Sequence, residues 1–294
     1  MPEKLSLAIL GGSGLYSMTG LTDTTEYDLE TPFGKPSAPI VVGTLEGKRV
    51  AFLARHGIGH HIMPTEVPYR ANIYALKALG AERIVSINAC GSLREDYAPG
   101  HIVIPDQIFD HTRARAHTFF GEGLVAHAGV ADPFCPDLSA GLETAVLGIG
   151  ATVHHGGAFI VIEGPRFSTK AESNVYRSWG MSIIGMTTAP EAFLAREAEM
   201  CYAVMAHVTD YDVWRINEAP VTVEMVLQTL KKNTQAAQAA IRRLVTSLPE
   251  ERSCGCGSVL ASAIITHPSA IPPATRQKLD LLVKKYLSKS NPVS

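Results

Sequence analysis

The chain predicts an α/β fold, a mixed central sheet flanked by helices on both faces and built as a single domain over 1–294. Three observations carry this. Short apolar, β-branched runs recur almost to the C-terminus. Between them lie segments with spaced apolar residues that mostly finish on Gly. No repeat or low-complexity linker interrupts the alternation, and no break in composition precedes "PEERSCGCGS" at 249–258. The strands expected in order are "LAILGG", "VAFLAR", "RIVSINAC", "HIVIPDQIF", "AFIVIEG", "SIIGMT" and "YAVMAHVTD". Each is an apolar run of the kind buried inside a sheet. The helices are "VPYRANIYALKALG", "DLSAGLETAVLGIG", "KAESNVYRSWG" and "APEAFLAREAE", where a terminal Gly suits a helix end. In "GMTTAPE", Thr188 stands three residues before Glu191, which reads as a capping box. A further helix starts at about Val221, and a last helical segment covers about 258–289.

Composition narrows the function. Twenty-six basic residues oppose 28 acidic ones for a net charge of −2, without long runs of either sign. No sequence-wide field would draw in nucleic acid or an anionic membrane, so the expected partner is small. The sequence shows neither a signal-peptide pattern nor a bilayer-length apolar run, which argues for a cytoplasmic location. Five cysteines, Cys90, Cys135, Cys201, Cys254 and Cys256, lack C-x-x-C spacing and are too few for a disulfide scaffold. They read as buried thiols, with "CGC" open, and no metal is expected.

Ligands of open α/β sheets gather beyond the strand ends, and these ends are rich in chemistry. "GGSG", Gly11 to Gly14, is either a tight turn or an anion cradle in which Ser13 adds a hydroxyl. "LARHGIGHHIMP" presents Arg55, a planar fork for phosphate or carboxylate, with His56, His60 and His61 beside it. Glycines at 57 and 59 and the lack of a carboxylate argue against zinc there. "INACGSLRE" places Asn88, Ala89 and Cys90 at another end. In "IEGPRFST", Phe167 beside Ser168 suits either core packing or stacking on a flat ring. Thr187 precedes a helix N-terminus, where anions are favoured. "HVTDYDVW" closes the last apolar run with Asp210 and Asp212. Two carboxylates at i and i+2 share one side of an extended chain roughly 6–7 Å apart, within reach of one small ligand.

Together "GGSGLY", "TPFGKPS", "LARHGIGHHIMP", "ACGSLRE", "FCP", "IEGPRFS", "GMTTAPE" and "VTDYDVW" resemble the 5′-methylthioadenosine phosphorylases, a branch of the trimeric purine nucleoside phosphorylases. The match runs from about residue 7 to about residue 248. The resemblance implies a single-domain phosphorylase/hydrolase-like fold and a homotrimer or dimer of trimers. Inorganic phosphate would be a co-substrate, and there would be no cofactor. The phosphate site would fall on Ser13, Arg55, His56, Asn88, the Ala89 backbone and Thr187. Two departures stand out: Ser13 where the loop often reads GGTG, and Asn88 where some members have Thr. The ribose would lie against Met186 with His60 near its 5′ side, and the purine by Phe167 and Ser168. Val223, Val226 and Leu227, otherwise an ordinary core stripe, would line the 5′ pocket. His127, otherwise a loop histidine, would reach a neighbouring subunit's site. The "CGC" segment is similar to a C-x-C of relatives that carry disulfides; free thiols fit equally.

Cleaving an N-glycosidic bond leaves electron density on the purine while the sugar becomes oxocarbenium-like. A donor at N7 and an anion below C1′ therefore both help. Under this resemblance Asp210 would be the donor, Asp212 would accept from a 6-amino group, and phosphate would attack. The rival readings are a phosphorylase for adenosine or for inosine/guanosine, a nucleosidase using water, and a non-catalytic nucleoside-binding protein. The Asp pair argues against a 6-oxo base, whose lone pair would meet a carboxylate.

Overall fold

A computed structural model of the protein describes residues 5–12, 18–215 and 223–287. The strands are β1 (Leu7–Gly11), β2 (Thr22–Tyr27), β3 (Ile40–Leu45), β4 (Lys48–Ala54), β5 (Arg83–Ser92), β6 (Ile102–Ile104), β7 (Gln107–His111), β8 (Val153–His155), β9 (Ala158–Ile162), β10 (Ile183–Gly185) and β11 (Cys201–Asp210). They join in one mixed sheet. The helices are α1 (Tyr69–Ala78), α2 (Pro136–Leu147), α3 (Lys170–Ser178), α4 (Thr188–Glu197), α5 (Val223–Ser247), α6 (Pro273–Lys278) and α7 (Asp280–Leu287).

Strands β4, β1, β5 and β11 are parallel neighbours in that order, so their carboxyl ends share one edge. All ten residues of β11 are buried, as expected of a strand covered on both faces. Alternation along the strands sends side chains to opposite faces. Leu10 and Val204 pack with Ile73, Leu76 and Leu194 from α1 and α4, while Ile9 and Met205 pack with Leu142, Ile241 and Leu244 from α2 and α5. Helices therefore cover both faces. The sheet forks at β5: Ile84–Ser86 pair with β1, Gly91 and Ser92 pair antiparallel with β10, and β11 follows β5 along its length. The fork brings β10 and β9 to the same edge as the parallel strands.

Gly80 and Gly180 end α1 and α3 at φ +88° and +80°. After α1, Gly80 N–H donates to Lys77 and Ala81 N–H to Leu76, the paired bonds of a left-handed helix stop.

Three sequence expectations need correction. "HIVIPDQIF" is two strands, because Pro105 has no N–H for a ladder. Strand β6 goes to β11 and β8, and β7 to β9. The helical segment expected over 258–289 is broken into 3₁₀ segments Gly255–Ser262 and Pro268–Ala270 followed by α6 and α7, with prolines at 268, 272 and 273 preventing one continuous helix. The capping box expected at Thr188 and Glu191 does not form, because the Glu191 side chain turns into the core. The capping box lies instead at Thr169 and Glu172, which open α3.

Candidate active site

The common edge gathers Gly12 after β1, Arg55 and His56 after β4, and Asn88, Ala89 and Gly91 on β5. Glu163 after β9, Met186 and Thr187 after β10, and Asp210 at the end of β11 complete it. Backbone pairing fixes two of these positions: Arg55 N–H donates to Gly11 O at 3.1 Å, and Asp210 lies beside Gly91 across a bulge at Thr209.

On the anion side, Arg55 is 2% exposed and its fork is taken by a carboxylate. Nε donates to Glu191 Oε2 at 2.7 Å and Nη2 to Oε1 at 3.0 Å. Glu191 also accepts from Ser86 Oγ at 2.8 Å and Tyr202 OH at 2.7 Å. The two-pronged grip on phosphate expected of Arg55 is thus occupied. Nη1, with a 3.4 Å bond to Ile87 O, is its more weakly held nitrogen. Ser86 connects this pair to Asn88, whose Oδ1 lies 2.7 Å away. Asn88 Nδ2 in turn donates to Thr187 Oγ1 at 3.0 Å and Thr188 Oγ1 at 3.2 Å. Because Thr187 accepts, its own hydroxyl proton remains for another acceptor.

His56 Nδ1 lies 2.8 Å from the Ile62 carbonyl, which can only accept, so Nδ1 carries the proton and Nε2 the lone pair. Burial, and then the Arg55 charge, lower the His56 pKa to about 4, and the ring is neutral at neutral pH. His60 stacks on it at 4.4 Å between centroids from a left-handed backbone position, φ +57°.

The acid side is built around Gly91. A Cβ there would lie 3.1 Å from Asp210 Oδ1, 3.3 Å from Asp212 Cβ and 3.0 Å from Ile184, so the absence of a side chain makes room for both acids. Asp210 Oδ1 accepts the Asp212 N–H at 2.7 Å, and Oδ2 lies 2.6 Å from Thr209 Oγ1, itself 3.2 Å from Cys90 O. The threonine has one proton for two acceptors. It can donate to an ionised Asp210, or accept from a protonated one while donating to Cys90 O. Burial raises the Asp212 pKa against opposing effects from Ser173, the Val213 N–H and Ser168. Among the described residues, Asp212 Oδ2, Ser168 Oγ and Ser173 Oγ are buried without a hydrogen-bond partner. Phe167, 39% exposed, stands next to Ser168.

Residues outside the expected set hold this arrangement. Arg115 is buried and donates through Nη1 to Met186 O at 2.6 Å, Ala189 O at 2.7 Å and Tyr69 OH at 3.1 Å, and through Nη2 to Glu163 O at 2.7 Å. It ties the segment bearing Met186 and Thr187 to the end of β9. Glu163 is half-buried, which works against its charge, yet the Arg113 N–H, the Thr65 hydroxyl, the Ala114 N–H and Arg115 together hold its pKa at about 2. Several expected residues are not tested by this geometry. Ser13 lies outside the described residues, as do the side chains of Val223, Val226 and Leu227 at the start of α5. His127 is an exposed loop residue anchored by its N–H to Ala263 O at 2.8 Å.

Comparison with known proteins places these features. Residues 6–246 match the family model described as the phosphorylase superfamily. The S-methyl-5′-thioadenosine phosphorylase of Geobacter sulfurreducens is 54% identical over 96% of this chain and 99% of its own length. The chain belongs to the phosphorylase superfamily. Two solved structures of that kind are similar throughout. A methylthioadenosine phosphorylase from an antarctic soil metagenomic library gives a TM-score of 0.91 at 46% identity, covering 95% of this chain and 99% of that one. The Schistosoma mansoni methylthioadenosine phosphorylase in complex with adenine gives 0.82 at 34%, covering 96% and 98%. As a phosphorylase-superfamily sheet edge, the site shows why Gly91 and Arg115 escaped sequence reading. Gly91 looked like a turn residue, and every partner of Arg115 comes from a distant segment.

Proposed function

We infer that the chain catalyses phosphorolysis of S-methyl-5′-thioadenosine, converting it with inorganic phosphate to adenine and 5-methylthioribose 1-phosphate. The geometric observation that carries this reading is the buried polar set of Asp212, Ser168 and Ser173 beside Asp210, in which both hydroxyls approach the Asp212 carboxyl without closing a full hydrogen bond to Oδ2. Leaving such atoms unsatisfied is costly, and the polar edge of a base bound against Phe167 would satisfy them. In this reading Asp210 donates to N7, with Thr209 accepting or donating as the proton leaves. Asp212 accepts from the 6-amino group.

Phosphate would sit between the Thr187 hydroxyl, the Ala89 backbone, Arg55 Nη1 and His56, with Asn88 and Ser13 beside it. A neutral His56 with its lone pair on Nε2 accepts from a P–OH rather than donating. It would thus bind protonated phosphate and take that proton as the oxygen attacks C1′. Met186 and His60 would border the ribose, and Val223, Val226, Leu227 and a neighbouring subunit's His127 the methylthio group, in a homotrimer or dimer of trimers in the cytoplasm. Among the described residues no helix is long and apolar enough to cross a membrane. A preference for inosine or guanosine is not favoured, because their O6 would face the Asp212 carboxyl.

The test is Asp212→Asn, assayed with methylthioadenosine, adenosine and inosine. Sites built on one hydrogen bond discriminate by roughly 10⁴. The amide should therefore lower kcat/KM for methylthioadenosine at least tenfold and raise the inosine-to-methylthioadenosine ratio. An unchanged ratio would place Asp212 away from the base.

A further inference from the structure

Far from the proposed nucleoside site, four of the five cysteines converge. Cys135 immediately precedes α2, Cys201 opens β11, and Cys254 and Cys256 enter the 3₁₀ segment Gly255–Ser262. Their sulfur atoms all lie within 4.8 Å of one another. Cys135, Cys201 and Cys256 are buried, and Cys254 is half-buried. Local structure delivers them without a sequence motif: Cys135 N–H donates to Tyr202 O at 2.8 Å, bringing the α2 entry against the start of β11. The C-terminal segment then folds back over both.

We propose that Cys135, Cys201, Cys254 and Cys256 form a closed tetrahedral thiolate site for one zinc ion that fastens the C-terminal segment to the sheet. Four sulfurs at the zinc–thiolate distance of about 2.3 Å stand about 3.8 Å apart. The cluster is within reach of that size, with the Cys201 and Cys254 sulfurs 3.3 Å apart. Four soft ligands select zinc over hard cations, and complete ligation with no open position makes the site structural rather than catalytic.

Charge is the second argument. Zinc with four thiolates carries a net charge of −2, costly to bury unpaired. One guanidinium meets it directly: Arg196 Nη1 contacts Cys256 Sγ at 3.5 Å. Binding displaces the thiol protons to solvent, so the site loads less readily in acid. The sequence expectation of no metal followed from spacing, which could not show that one C-x-C and two single cysteines meet. This inference is independent of the nucleoside chemistry proposed above.

The test is metal content. Protein made with zinc available and purified under reducing conditions should carry one zinc per chain by mass spectrometry of the metal. After removal of zinc, Co(II) should restore one equivalent with the intense visible bands of tetrahedral thiolate cobalt. Cys254→Ser and Cys256→Ser should each lower cobalt affinity at least tenfold, whereas Cys90→Ser should keep it. If a serine variant fails to fold, the wild-type stoichiometry and cobalt spectrum still decide. Metal-free protein that gives no thiolate–cobalt bands overturns the proposal. So does protein prepared without air in which the four cysteines are found as disulfides.

Discussion

The buried pair behind the anion side gives the sharpest stability prediction. Burial works against the Arg55 charge, and the Glu191 carboxylate outweighs it. Glu191 receives Arg55 twice, Ser86 and Tyr202, and the side chains of the pair are 3% and 1% exposed. A surface pair of this kind would contribute about 0–1 kcal/mol. Removing one partner of a buried pair instead costs about 3–5 kcal/mol, mostly from the charge left uncompensated. Glu191→Leu should therefore lower the melting temperature by about 6–20 °C, at roughly 2–4 °C per kcal/mol for a large domain. Calorimetry in phosphate-free buffer reads this, because bound anion would partly neutralise Arg55. Arg55→Met/Glu191→Leu should recover much of the loss, since no charge then remains buried. A shift under about 2 °C for Glu191→Leu, or a double variant no more stable than the single one, would refute the reasoning.

Two further outcomes follow from particular contacts. Gly91→Ala places a methyl 3.1 Å from Asp210 Oδ1 and 3.3 Å from Asp212 Cβ. It should lower kcat for methylthioadenosine at least tenfold with a smaller change in phosphate KM, and steady-state kinetics with normal values would contradict the placement of the acids. Glu197 has its pKa raised to about 7 by burial, against the Thr118 hydroxyl and the Phe119 N–H. Since the folded value lies above the ordinary one, its contribution is complete below about pH 4.5 and lost as pH rises through about 7. The shift corresponds to about 3 kcal/mol. His56 and His207, both lowered to about 4 by burial, act oppositely, losing their contribution as pH falls from about 6.5 through 4. Comparing wild type with Glu197→Gln isolates the first effect. The wild type should lose melting temperature relative to the variant between pH 5 and 8, and a constant gap would show that Glu197 is not protonated.

Much of this arrangement was legible in the sequence, for local reasons. Strands buried on both faces, such as β11, have apolar runs, and the chemistry stands directly after them, as Asp210 does. Strand β2, "TDTTEY", is almost wholly exposed, so no apolar pattern announced it. Asn88 was placed in the phosphate site, yet its amide links Ser86 to Thr187. Arg55 was read as a ligand from its side chain, but the carboxylate occupying its fork comes from a helix more than a hundred residues away in sequence. The cysteine cluster failed to register for the same reason. Pairings between remote segments are set by topology, and local spacing does not encode them.

The central claim is that phosphate, not water, attacks the sugar. Phosphorus NMR of methylthioadenosine incubated with the protein, with adenine followed by chromatography in the same samples, tests it most directly. The account predicts one sugar 1-phosphate formed and one inorganic phosphate consumed per adenine, with negligible adenine when phosphate is omitted. Adenine released at an equal rate without phosphate, with no sugar phosphate in its presence, would contradict it.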